Sequence, residues 1–90
     1  MNEPQAQMPR YKCHKEVWAL KIKEIKRTPY GNAGVRHSIV PEEAGYAPFE
    51  VALEYIAKHE PKVGGYYVVY DDGYISYSPA KAFEDGYARI

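Results

Sequence analysis

The sequence predicts an α+β fold: a small antiparallel sheet with an amphipathic helix, a C-terminal β-hairpin and a short terminal helix. Three patterns predict it. In the N-terminal third, Trp18, Leu20 and Ile22 alternate with other residues, as in a strand with one buried face. A helical stripe of apolar residues lies in the middle of the chain. Near the C-terminus, two tyrosine-rich segments flank an Asp-Asp-Gly turn.

The chain is long enough for one hydrophobic core, since it has 90 residues. We expect a disordered N-terminal tail at residues 1–10, which carry two prolines and no apolar period, and a single domain at residues 11–90. Cys13 is the only cysteine, which indicates a reducing compartment such as the cytoplasm. No apolar run reaches the roughly 18–20 residues that span a bilayer, and no secretory signal is expected.

Charge is divided unevenly between the two halves of a chain whose formal net charge is zero. Residues 1–36 hold eight Lys/Arg against three Asp/Glu, and residues 37–90 hold four against nine. Such asymmetry can mark a basic nucleic-acid surface, but the sequence favours attraction between the halves, within or between chains.

The first predicted strand is Val17–Ile25, on the alternation described above. A helix is the alternative there, because Trp18, Ile22 and Ile25 also fall at i, i+4 and i+7. The segment TPYGNAG, residues 28–34, should turn the chain, since Pro, Gly and Asn supply turn conformations.

A returning strand, Val35–Val40, should pair with the first and end at Pro41, with a loop at Glu42–Ala47. The amphipathic helix should begin at Pro48 and end near His59. Its predicted apolar stripe consists of Phe49, Ala52, Leu53 and Ile56.

The C-terminal hairpin pairs Tyr66–Tyr70 with Tyr74–Ser78, because Gly73 can take the positive φ of a tight turn. A three-residue loop at 71–73 places Tyr70 opposite Tyr74; a two-residue turn would shift this register by one. A short helix should run from Pro79 to Gly86, followed by an edge segment at residues 87–90.

One face of that hairpin would carry three tyrosines and two serines: Tyr66, Tyr70, Tyr74, Ser76 and Ser78. Flat π surfaces beside hydroxyls suit a nucleobase, a nucleotide-like molecule or a partner protein. Packing under the helix or across a dimer is the alternative explanation.

A second candidate feature is a group of cations that would converge if the first two strands pair: Lys12, His14, Lys15, Arg36 and His37. Converging cations bind phosphates, and Arg does so through two parallel hydrogen bonds. Complementarity to the acidic half of the chain competes with this interpretation.

No catalytic site or metal site is predicted. Cys13 and His14 are adjacent, but neighbouring side chains of an extended strand point to opposite faces. The three histidines and the cysteine lack the spacings that bring metal ligands together. No phosphate-binding glycine loop or nucleophile elbow is present.

Three stretches resemble small accessory proteins of tailed phages and prophages: KCHKEVWALKIKEI at residues 12–25, GYAPF at 45–49, and GGYYVVYDDGYISYSPAKAFEDGYARI at 64–90. The resemblance implies no enzymatic activity, and it implies a place inside an infected bacterium. Some proteins of this class are sponges, which sequester nucleotide-derived signals of host antiviral systems.

The sequence therefore predicts a non-enzymatic, cytoplasmic, homo-oligomeric anti-defence protein that binds a nucleotide-like signal without a cofactor or metal. The alternative is a module that docks on a host or phage protein. Neither membrane nor nucleic acid is an expected partner. The predicted ligand-binding residues are Lys12, His14, Lys15, Arg36, Tyr66, Tyr70, Tyr74 and Ser76.

Overall fold

The computed structural model describes residues 8–12, 16–29 and 31–89, and these form mainly antiparallel sheet. Strand accounts for 49% and helix for 21%, so the predicted α+β fold with a small sheet is wrong. The described residues form seven strands and two short α-helices. The strands are β1 (Arg10–Lys12), β2 (Glu16–Pro29), β3 (Val35–Pro41), β4 (Phe49–Val51), β5 (Tyr66–Tyr70), β6 (Ile75–Ser78) and β7 (Ala88–Arg89); the helices are α1 (Leu53–His59) and α2 (Ala80–Gly86).

Strand β2 organises the sheet because it is long enough to pair with three others. Its first residues pair with β1 and β5, and its second half pairs with β3 after an irregularity between Ile22 and Glu24. Strand β4 extends the sheet beyond β3, β7 beyond β1, and β6 beyond β5. The strand predicted at Val17–Ile25 is confirmed, and it continues to Pro29.

The core lies on both faces of the sheet, whereas the sequence predicted one buried face for β2. Val17 and Ala19 pack with Phe83 of α2 on one face. Ile22 packs with Tyr55 of α1 on the other. A helix covers each face of the sheet, so consecutive residues of β2 are buried. The alternation of buried and exposed residues that a strand with one buried face would show is therefore absent. Neither of the helices found in the described residues is long and apolar enough to cross a membrane.

The middle helix begins later than predicted. Pro48 and Glu50 are typical of a helix start, yet Phe49 pairs with Ile39 and forms β4 instead. Helix α1 then starts at Leu53, which is 65% exposed, and buries Tyr55. Two members of the predicted stripe, Ala52 and Leu53, are exposed, whereas Ile56 packs against the cluster that contains Tyr55.

The C-terminal predictions are confirmed. Tyr66 lies opposite Ser78, and the Tyr70 N–H donates to the Tyr74 carbonyl at 2.9 Å, as a loop at 71–73 requires. Gly73 has φ +91°. Pro79 precedes α2, and β7 pairs with β1. Of the expected N-terminal tail, residues 1–7 lie outside the described residues, and Met8 is buried against Leu20.

Candidate functional site

An open groove of about 400 Å³ lies between helix α1 and the turn of the β5–β6 hairpin. We call it the hairpin groove. Strand β4 and the residue after it close a third side. The side chains that give it chemical character are aromatic or charged: Glu50, Glu54, Tyr55, Lys58, His59, Tyr67 and Tyr74.

Hydrogen bonds hold helix α1 and the β5–β6 hairpin, the two main walls of the groove, in place. The hydroxyl of Tyr55 in α1 donates to the carbonyl of Ser76 in β6 at 2.9 Å. Burial raises the pKa of Tyr55, so the phenol stays protonated and keeps donating. On the hairpin side, the carboxylate of Asp72 accepts from the Tyr74 N–H at 2.9 Å, which fixes the turn that presents Tyr74.

Tyr74 is the most accessible aromatic ring of the groove, at 45% exposure. Its ring is nearly parallel to that of Tyr70, with 5.9 Å between centroids, an offset arrangement that leaves part of the ring open. The ammonium of Lys58 donates to the Tyr74 hydroxyl at 3.1 Å and lies 5.2 Å from the ring centroid. His59 meets the same ring edge-on at 6.4 Å.

The charges of the groove are mixed. Lys58 and His59 lie at the end of α1 beside Tyr74, whereas Glu54 lies in the first turn of the helix. Glu50 also lines the groove, and it approaches Arg36 at 3.9 Å. Such a site offers one ammonium for an anionic group and two exposed carboxylates, Glu50 and Glu54, that can accept hydrogen bonds from hydroxyl or amino groups.

The structure places the residues of the predicted tyrosine face in different environments. Tyr66 is buried, stacked on Phe83 at 4.2 Å, and its hydroxyl donates to Glu84. Tyr70 is half-buried and packs at the rim of the same cluster. Ser76 is half-buried on the face that α2 covers. Of the six predicted ligand residues that the structure describes, Tyr74 alone lines the hairpin groove.

The predicted cation cluster does not assemble from the residues that can be compared. Lys12 lies opposite Glu16, and Arg36 lies opposite Thr28. Twelve residues of β2 separate these two positions, which is on the order of 40 Å along a strand. His14 and Lys15 lie outside the described residues, as does Cys13.

Sequence reasoning missed Lys58 and His59. Both follow a helical stripe, and they reach Tyr74 only because α1 lies across the hairpin. The spacing of Tyr55 and His59, one turn apart, was the available signal for the side of α1 that faces the sheet. Among the described residues, no group of His, Cys, Asp or Glu side chains is arranged to hold a metal ion.

No protein-family model, curated protein or solved structure matches this chain.

Proposed function

We propose that the protein binds a small nucleotide-derived molecule in the hairpin groove without converting it. In this proposal it acts as a phage or prophage accessory protein that sequesters a host immune signal in the bacterial cytoplasm. The exposed ring of Tyr74 beside the ammonium of Lys58 carries the proposal. A planar base can stack on that ring, and the ammonium can pair with one phosphate.

The dimensions and polarity of the groove support a ligand of this class. Its volume of about 400 Å³ lies within the range of small-molecule sites. Glu54 is exposed and can accept hydrogen bonds from ribose hydroxyls or exocyclic amino groups. Because Lys58 is the groove's only lysine or arginine among the described residues, we expect a ligand with few phosphates in this groove. Further phosphate contacts would come from a second copy, in keeping with the expected homo-oligomer.

Thermal melts with a panel of cyclic dinucleotides, cyclic trinucleotides and cyclic ADP-ribose isomers test the proposal. A ligand at a hundred times its dissociation constant should stabilise the protein by about 2.7 kcal/mol. Replacing Tyr74 by Ala should weaken that ligand by about 1–3 kcal/mol, roughly five- to 150-fold. Stability without ligand should change little, because the ring is already 45% exposed.

Two further variants separate ligand contact from general effects. Lys58→Ala should also weaken binding, whereas Lys62→Ala, a neighbouring exposed lysine outside the groove, should not. If no ligand raises the melting temperature, or if Tyr74→Ala binds as tightly as the unaltered protein, the proposal is wrong. The alternative of docking on a host or phage protein would then be preferred.

A further inference from the structure

The end of the β2–β3 pair projects beyond the rest of the sheet. Strand β4 pairs with β3 only at residues 37–39, so beyond Arg27 and His37 the described sheet has two strands. We call residues 26–29, 31–34 and 35–36 the distal ribbon, and we call the rest of the described residues the body. Every one of these residues whose exposure is described is exposed. The sequence from residue 25 to residue 36 holds three Lys/Arg and no Asp or Glu.

The cations of the distal ribbon differ in their acidic partners: Arg36 lies 3.9 Å from Glu50, whereas Lys26 and Arg27 have none among the described residues. Elsewhere in the basic half, Arg10 pairs with Glu16 and Lys21 pairs with Glu84. Lys23, Lys26 and Arg27 form no ion pair with any acid of the described residues. Lys21 with Glu84 and Arg36 with Glu50 join the two halves of the sequence, and Lys23, Lys26 and Arg27 remain as a run of cations on the second half of β2.

The arrangement of these cations fits a groove with anionic walls. Lys26 and Arg36 share one face of the ribbon with Thr28, because Thr28 lies opposite Arg36. Arg27 lies on the other face. Two acids adjoin the ribbon: Glu24 lies opposite Val40, and Glu50 of β4 approaches Arg36 at 3.9 Å, an exposed pair that contributes little to stability.

We propose that the distal ribbon inserts into the major groove of duplex DNA. That groove is about 12 Å wide and admits a two-stranded β-ribbon, whereas the major groove of duplex RNA is too deep and narrow for side chains to read. Lysine and arginine would neutralise the flanking phosphates, and the Thr28 hydroxyl would face the base edges. This activity is separate from ligand binding in the hairpin groove.

The acidic body does not oppose this insertion. A strand of 14 residues, such as β2, is about 45 Å long, close to the 44 Å extent of the molecule. The β5–β6 turn, with Asp71 and Asp72, lies beside the start of β2, where Tyr70 is opposite Val17. Charges at that distance are screened, because the Debye length is about 8 Å at physiological salt.

The proposal is tested by fluorescence polarisation of a labelled 20-base-pair DNA duplex at 50 and 150 mM NaCl. Two phosphate contacts, from Lys26 and Arg27, give a slope of about −1.8 in log K against log salt, so binding should weaken roughly sevenfold between these concentrations. In the double variant Lys26→Ala/Arg27→Ala, both of these contacts are removed and the salt dependence of binding should be lost. Both side chains are exposed, so the circular dichroism spectrum should be unchanged.

The matched control is Lys62→Ala/Lys81→Ala, which removes the same charge from exposed sites of the body. It should keep the roughly sevenfold salt dependence. The proposal is overturned if the duplex does not bind at 100 µM protein in 50 mM NaCl, or if both double variants behave alike. Tighter binding to duplex RNA or to poly-glutamate than to the DNA duplex would equally overturn it, in favour of an RNA or an acidic protein partner.

Discussion

The two halves of strand β2 belong to different environments although they form one continuous strand. Residues 17–22 are buried or half-buried, with Val17 and Ile22 fully inaccessible on opposite faces. Residues 26–29 are exposed on both faces. The first half lies between two helices, and the second has only β3 beside it at its end. A long strand can therefore anchor a core and also carry a solvated extension.

The residues that stabilise the fold therefore differ from the residues that are proposed to bind ligand or DNA. The body holds the buried clusters, with Phe83 and Tyr55 packed against opposite faces of the sheet. The proposed contacts to ligand and DNA use exposed side chains at the hairpin groove and the distal ribbon. Substitutions in the body should change unfolding, and substitutions at the exposed sites should change binding with little effect on unfolding.

The largest effect is expected for Phe83→Ala. This ring is 1% exposed and lies between Tyr66 at 4.2 Å and Tyr87 at 4.5 Å. Its removal leaves a cavity that should cost about 3–5 kcal/mol. The melting temperature should fall by more than about 12 °C in circular dichroism. Arg27→Ala, on the distal ribbon, should change the free energy of unfolding by no more than about 0.5 kcal/mol. Equal losses for Phe83→Ala and Arg27→Ala would contradict the distinction between a stabilising body and a ribbon that does not affect unfolding.

A smaller loss is expected for Gly65→Ala, at the start of β5. A Cβ at Gly65 would lie 2.6 Å from the Cζ of Tyr77, closer than van der Waals contact allows. Gly65 also accepts a hydrogen bond from Ile22, so its backbone cannot move away without cost. Overpacking of this kind should lower the free energy of unfolding by about 1–3 kcal/mol in urea titrations.

Gly86→Ala is the matched control for Gly65→Ala. No heavy atom lies within 4 Å of a Cβ built there, and Gly86 is the last residue of α2. Alanine is the better helix former, so stability should be unchanged or slightly raised. A loss at Gly86 as large as that at Gly65 would show that the Tyr77 contact is not the cause.

Local signals were sufficient for the hairpin and for the existence of β2. Gly73 and Asp72 specify the turn within a few residues, and the structure has the predicted register. The same reasoning failed at Phe49, where Pro48 suggested a helix. A three-residue strand exists only because β3 supplies its partner, and no local pattern encodes that pairing.

The candidate site was less predictable than the fold. The convergence of Lys12 with Arg36 was expected from pairing of the first two strands, but the length of β2 places these residues near its opposite ends. Tyr66 has the same residue type as Tyr74, and only the position of α2 makes one a core residue and the other a surface residue. Tertiary packing, which a single sequence does not display, decides such differences.

The smallest effect is expected for Tyr66→Phe, and it should depend on pH. The Tyr66 hydroxyl donates to Glu84 Oε2 at 2.8 Å, and Lys21 approaches the same oxygen at 3.2 Å. The Tyr66 hydrogen bond, and then that of Lys21, lower the pKa of Glu84. A carboxyl whose pKa is lower in the folded state stabilises that state above its unfolded pKa, near 4.3. This stabilisation is lost as the pH falls through the folded value.

Tyr66→Phe removes the larger cause of that shift, so the variant should be less stable than the unaltered protein at pH 7, and the difference should shrink toward pH 3. Urea titrations at the two pH values measure it. Tyr11→Phe is the control, because Tyr11 packs against the same cluster and its hydroxyl forms no hydrogen bond to a carboxylate in the described structure. The effect of Tyr11→Phe should therefore not vary with pH in this way. The effect of Tyr66→Phe should be small because Glu84 is exposed and solvent screens its charge. A difference that grows toward pH 3 would mean that the Tyr66 hydroxyl stabilises the protonated carboxyl, against the assigned direction of the pKa shift.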